Sequence, residues 1–139
     1  MANAPGSIIQ TKRILLLEDD ERLTILIKGY LESNAYEVVA VTNGAEGVLS
    51  LAKEEFDIII CDMIMPKLPG DMFYFAVKKT KPHLCRRFIF ISGYTDNSKI
   101  NDFISQVSGT MLTKPFRMDE LLEAVTVVQN RGFSVSWQS

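Results

Sequence analysis

Five polar side chains in this sequence stand directly behind runs of apolar residues. Glu18 and Asp19 follow RILLL, Asp62 follows FDIIIC, Ser92 follows RFIFI, and Lys114 follows GTMLT. If those runs are neighbouring strands pointing the same way, the polar residues converge on one rim. Three carboxylates, a hydroxyl and an ammonium would then share a site suited to a hard cation and a phosphoryl group.

The elements needed to position them are legible along the chain. RILLL (13–17) reads as a strand, and Leu23, Ile27, Tyr30 and Leu31 fall at helical spacing after it. YEVVAV (36–41) is β-branched and short, and Asn43 then stands where a helix N-cap is expected. DIIIC (57–61) is a second apolar strand, MPKLPG a turn-rich loop, and DMFYFAVKKT a helix that must stop before Pro82. RFIFI (87–91) is a buried strand, DNSKINDFISQV a helix capped by Asp96 or Asn97, and GTMLT (109–113) the last strand. RMDELLEAVTVVQN forms a closing amphipathic helix, ended by Gly132. Strands that are apolar on both faces and alternate with helices predict a parallel sheet covered on both sides. Ligands of such sheets bind beyond the carboxyl ends of the strands, where strand order reverses.

Composition narrows the class. The chain has 139 residues, 47% hydrophobic and 23% charged, which is enough for one domain with a proper core. Its formal charge of -2 argues against bulk electrostatic binding of nucleic acid and says nothing about a local patch. Cys61 and Cys85 show no metal or disulfide spacing and read as small buried hydrophobes of a reducing cytoplasm. No apolar run has the length to span a bilayer, and MANAPGSIIQTKR lacks the apolar stretch of a signal peptide. His83, the single histidine, reads as a solvated loop residue. Asp57, at the start of its strand and so on the opposite rim, reads as structural.

The signals occur in a fixed order with matched surroundings: LLL-Glu-Asp-Asp-Glu, Asp-x-x-Met-Pro-x-x-x-Gly, Ile-Ser-Gly, and Thr-Lys-Pro-Phe. This order resembles the receiver domain of bacterial two-component response regulators, over roughly residues 12–131. The resemblance implies an α/β fold, a doubly wound (βα)5 sheet of five parallel strands in the flavodoxin-like order 2-1-3-4-5. Residues 1–11, rich in small and polar residues, read as a flexible leader, and 132–139 as a C-terminal tail. The resemblance also implies that Asp62 is the phosphoacceptor, taking a phosphoryl group from the phosphohistidine of a sensor histidine kinase or phosphotransfer protein. Glu18, Asp19, Asp62 and the backbone carbonyl of Ile64 would hold Mg2+. Ser92 would hydrogen-bond the phosphoryl oxygens and Lys114 would pair with them, with Lys114-Pro115 in the cis form.

The chemistry accounts for these residue types. Phosphoryl transfer asks a protein mostly for positioning and charge stabilisation. Clustered carboxylates repel one another and an incoming phosphate, so a divalent cation is close to obligatory, and magnesium suits oxygen ligands. Phosphorylation then adds about -1.5 to -2 charges and biases a two-state surface. Blander readings fit some positions: Asp20 and Glu21 are a favourable acidic first turn, and Ser92 alone would be an ordinary strand-end hydroxyl.

Departures from the family pattern concern switching and timing. Met111 stands where receivers often carry a Tyr or Phe that swings inward, and Pro69 stiffens the loop before Gly70. Ile64 and Tyr94, each two residues beyond a site residue, should overhang the phosphoryl group and slow its hydrolysis, since neither orients a water. Output is expected through protein contacts of residues 96–131, to a downstream protein or a second copy in a homodimer. No direct nucleic-acid or membrane contact by this chain is expected. The chain would catalyse its own aspartyl phosphorylation and dephosphorylation without being a turnover enzyme. A phosphoester hydrolase built on Asp62 would want a second acid nearby, and Met63 and Ile64 supply none. A pseudo-receiver is disfavoured by the joint presence of Asp19, Asp62, Ser92 and Lys114. A nucleotide-binding flavodoxin-like protein lacks its Gly-rich loop.

Overall fold

Ile14, Leu15, Leu16 and Leu17 are all fully buried, as are Ile58, Ile59, Ile60 and Cys61 and the run Ile89–Ile91. Successive strand side chains point to opposite faces, so these runs need cover on both sides. The computed structural model describes residues 11–93, 98–107 and 109–131, and the backbone of 132–138. It places strands β1 (Arg13–Leu17), β2 (Glu37–Val41), β3 (Ile58–Asp62), β4 (Phe88–Gly93) and β5 (Thr110–Lys114) in one parallel sheet of order β2-β1-β3-β4-β5. Helices α1 (Glu21–Ser33), α2 (Gly44–Lys53), α3 (Gly70–Thr80), α4 (Ser98–Gln106) and α5 (Met118–Gln138) alternate with the strands.

The two faces collect two cores. Leu15, Leu17, Ile59, Cys61 and Phe90 pack against Leu51 of α2, Phe73, Tyr74 and Val77 of α3, and Ile104 of α4. Ile14, Leu16, Ile58, Ile60, Ile89 and Ile91 pack against Ile27 and Leu31 of α1 and Leu121, Val125 and Val128 of α5. Tyr74, Phe88, Phe90 and Phe103 of α4 form an aromatic seam in the first core, with edge-on contacts of Phe103 to Tyr74 and Phe90 at 5.5 Å. Every residue of β3 is buried, whereas β5, at the sheet edge, alternates half-buried and exposed residues.

Local chemistry sets the boundaries. Asp20 caps α1, accepting from the amides of Arg22 and Leu23; read from sequence as a first-turn charge, it is the cap itself. Asn43 caps α2 as expected, through the Glu46 amide at 2.9 Å. Asp57 ties the opposite rim together: its Oδ2 accepts from the Arg13 amide at 2.8 Å and its carbonyl from Arg87 at 3.2 Å. The caps expected at Asp96 and Asn97 lie outside the described residues.

Two expectations are corrected. The stretch before β4, read as loop, is a short 3-10 helix, Pro82–Arg87, which buries Leu84; Pro82 starts it because its fixed φ suits a first helical position. The closing helix does not stop at Gly132 but runs to Gln138. A lone glycine costs a helix only about 1 kcal/mol, too little to end one already formed. No helix among the described residues is long and apolar enough to cross a membrane.

Gly47 lets α2 approach the sheet closely, since a Cβ there would stand 2.7 Å from Leu17 Cδ2 and 2.8 Å from Phe73 Cε1. Gly47→Ala is expected to destabilise the fold by about 1–3 kcal/mol through overpacking, despite alanine's better helix propensity. Urea unfolding followed by circular dichroism checks this; a midpoint equal to or above wild type would show that α2 can shift freely.

Candidate functional site

Strand order reverses between β1 and β3: β1 connects outward to β2, and β3 connects through α3 to β4 on its other side. The loops therefore diverge and leave a crevice beyond the strand ends. Glu18 enters it directly after Leu17, its amide donating to the Val41 carbonyl at 3.1 Å. Asp62, last residue of β3, enters beside it, with Ile91 of β4 as its register partner.

Glu18, Asp62 and Ser92 are buried and polar, with 1%, 5% and 2% of their surfaces exposed. Asp62 is held on both oxygens. Oδ1 accepts from the Ile64 amide at 2.9 Å, and Oδ2 accepts from Lys114 Nζ at 3.0 Å. Lys114 comes from β5 and reaches across β4 to do so. Ser92 Oγ lies 3.3 Å from the Gly93 carbonyl and donates to it. Glu18 Oε2 accepts from the Asp20 amide at 3.0 Å. Its Oε1 is buried without a hydrogen-bond partner, with Lys114 Nζ 3.6 Å away.

Burial pushes the Glu18 carboxyl up to about 7; the Asp20 amide lowers it, the Asp62 charge raises it, and Lys114 lowers it again. Burial alone would lower the Lys114 ammonium, but its hydrogen bond to Asp62 and the charges of Asp62 and Glu18 outweigh that and raise it. Lys114 is thus firmly a cation among carboxylates that it only partly neutralises.

Glu18, Asp19 and Asp62 each offer an oxygen, and these atoms lie within 4.8 Å of one another. At that spacing a pair of carboxylates repels by on the order of 3 kcal/mol at an effective dielectric of 20. An unsatisfied buried carboxylate oxygen beside two further carboxylates, all oxygen donors, fits a hard divalent cation of the magnesium or calcium class.

Of the residues singled out from sequence, Glu18, Asp19, Asp62 and Lys114 come together here, and Ser92 stands on the adjoining strand end, one residue past Ile91. The Lys114-Pro115 bond is cis. The Ile64 side chain is 58% exposed next to the Asp62 carboxylate that its amide holds. Met111 is also exposed, on the outer strand β5, and fills no inward aromatic position. Tyr94 lies outside the described residues. Sequence reasoning did not anticipate a cavity of about 350 Å³ beside Ile64, walled by Met63, Met65, Asp71, Lys99 and Phe103. Its only sequence signal was the apolar spacing of Ile100, Phe103 and Ile104 along α4.

Comparison with known proteins agrees with this geometry. The family model described as response regulator receiver domain matches residues 14–126. The chain is similar to the chemotaxis protein CheY of Bacillus subtilis, 30% identical over 119 residues that cover 85% of this chain and 98% of that one. It is similar to the transcriptional regulatory protein CrdR of Helicobacter pylori, 33% identical over 110 residues, 79% of this chain and 51% of the other. The chain spans about half the length, or less, of the transcriptional regulators it matches. A response regulator receiver domain from Clostridium thermocellum superposes with a TM-score of 0.77 at 28% identity, covering 89% of this chain and 98% of that one.

The raised Glu18 carboxyl has a consequence for stability. Its folded pKa, about 7, exceeds the ordinary 4.5, so the folded state is penalised as pH rises from about 4.5 through 7. Metal-free Glu18→Gln is therefore expected to be more stable than wild type by about 1–3 kcal/mol at pH 8. The gap should close below about pH 4, where wild type is protonated in both states. Thermal unfolding at the two pH values checks this; a pH-independent difference would place the effect elsewhere.

Proposed function

The chain belongs to the response regulator receiver family, and from that premise we propose that Asp62 is its phosphoacceptor in two-component signalling. The carrying observation is the state of Asp62: a buried carboxylate at the switch point, fixed by the Ile64 amide and Lys114, beside the unsatisfied Oε1 of Glu18. The donor is the phosphohistidine of a sensor histidine kinase or phosphotransfer protein. An Asp62 oxygen bonds to phosphorus as the phosphorus–nitrogen bond breaks, and the imidazole leaves with a proton.

Glu18, Asp19, Asp62 and the Ile64 carbonyl are the groups that would hold magnesium. When bound, the ion neutralises the carboxylates and the phosphoryl oxygens as charge shifts between them. Lys114 already sits on Asp62 Oδ2 and transfers its charge pairing to the phosphoryl group. The Ser92 hydroxyl turns from the Gly93 carbonyl to a phosphoryl oxygen. Both residues stand at the ends of β4 and β5, so that added charge pulls on the strands flanking α4. The responding surface is then residues 96–131, including exposed Met111, offered to a downstream protein or a second copy in the cytoplasm. The functional unit is residues 12–131, with 132–138 continuing α5.

Incubation with magnesium and a small acyl phosphate, followed by intact mass measurement, tests the assignment. One acid-stable, base-labile phosphoryl group is expected on wild type, and none on Asp62→Asn or after chelation. No modification of wild type would make this a pseudo-receiver; modification that persists in Asp62→Asn would refute the site.

Exposed Ile64 offers no hydrogen bond to an attacking water, so it shields the acyl phosphate. Ile64→Asn is expected to shorten the phosphoryl lifetime by about tenfold, equivalent to about 1.4 kcal/mol of barrier. Decay of the phosphorylated mass after donor removal reads this, with Tyr94→Ala in parallel. Unchanged lifetimes in both variants would discard the shield.

A further inference from the structure

At the end of the molecule opposite the site, Glu37 and Glu54 pair with Arg13 and Glu55 with Lys81, but one stretch of chain there is purely basic. Between Asp71 and Asp96 the sequence holds no acid, while Lys78, Lys79, Lys81, His83, Arg86 and Arg87 crowd into one short stretch. In a chain of net charge -2, this is strong segregation. Two of these cations have structural duties: Lys81 donates to the Leu51 carbonyl at 2.6 Å, and Arg87 donates to the Asp57 carbonyl at 3.2 Å. The Arg86 side chain has none, making no hydrogen bond or ion pair with any described residue.

Arg86 lines a cavity of about 500 Å³ together with Tyr74, Cys85, Val107 and Arg131. The cavity lies among α3, the 3-10 helix, the end of α4 and α5. Arg131 reaches in from α5 and donates through Nη2 to Thr110 Oγ1 at 2.8 Å; it too forms no ion pair with a described residue. Two guanidiniums therefore share one concavity with no carboxylate among its described lining. Tyr74 is only 6% exposed. Burial and a hydrogen bond with the Cys85 thiol hold its phenol up at about 12, so it stays a neutral hydrogen-bonding group.

Guanidinium forks match the geometry of carboxylate and phosphate oxygens, and a concave wall of one sign concentrates counter-ions. The volume lies within the range of small-molecule sites and is too small for a partner's helix. We propose that this cavity binds a small polyanion bearing phosphate or carboxylate groups, held between Arg86 and Arg131 over Tyr74 and Cys85. The site is separate from Asp62, and its occupation does not depend on the role of that residue.

Calorimetric titration of the full chain, without magnesium and at about 0.15 M ionic strength, uses inorganic pyrophosphate in one arm and citrate in the other. One-to-one binding of either is expected, and the arm that binds identifies the anionic group. Arg86→Gln alone, at an exposed residue with no partner, should weaken binding about tenfold, and Arg86→Gln/Arg131→Gln should abolish it. Lys78→Gln/Lys79→Gln, which alters the same basic stretch outside the cavity, should change affinity less than about twofold. Amide shifts on binding should centre on Cys85, Arg86 and Arg131. The proposal is overturned if neither anion binds, if the lysine pair matters as much as Arg86, or if the shifts centre on Lys114.

Discussion

The arrangement of this molecule turns on the burial of Glu18 and Asp62 side by side at the point where the sheet changes direction. Nothing in folding requires carboxylates there; left uncompensated, they oppose it. Lys114, drawn across β4, and the amides of Ile64 and Asp20 offset part of the repulsion. The remainder stays as the unsatisfied Oε1 of Glu18 and a carboxyl pushed up to about 7. The apolar strands on both sides of the crevice supply the stability against which this strain is held. A divalent cation, in the proposed role, would relieve that remaining repulsion.

Most of the fold was legible because the signals were of the kind that local sequence carries. Uninterrupted apolar runs announced β1, β3 and β4, and the alternation with helical spacing announced a parallel sheet. The sheet order came from the family resemblance. The convergence of Glu18, Asp19, Asp62 and Lys114 then followed from strand direction. What escaped depends on distances between segments. The reach of Lys114 over β4 to Asp62 Oδ2, the orphaned Oε1, and the cavity beside Ile64 involve residues far apart in sequence. The continuation of α5 past Gly132 escaped for the opposite reason: a single glycine was given more weight than its small helix penalty warrants.

Charge is distributed lengthwise in the sheet. The carboxyl ends of the strands carry Glu18, Asp19, Asp20, Glu21 and Asp62, and the other rim carries the basic stretch around Arg86. Asp57, bonded to Arg13 and Arg87, stitches that rim together with Glu37 and Glu54 on Arg13 and Glu55 on Lys81. At that rim the Asp57 carboxylate takes the Arg13 amide and its carbonyl takes Arg87, whereas at the carboxyl end the buried Oε1 of Glu18 has no hydrogen bond.

The site has the layout of a caliper. Asp62 is the fixed jaw, set in a strand whose five residues are all buried. Lys114 is the opposite jaw, carried on an outer strand with alternate residues exposed. The two jaws thus differ in support, the sheet centre being buried throughout and the β5 edge only in part. On the proposed reading, a change of a few atoms at Asp62 would reach the periphery through Lys114, on the strand with the weaker support.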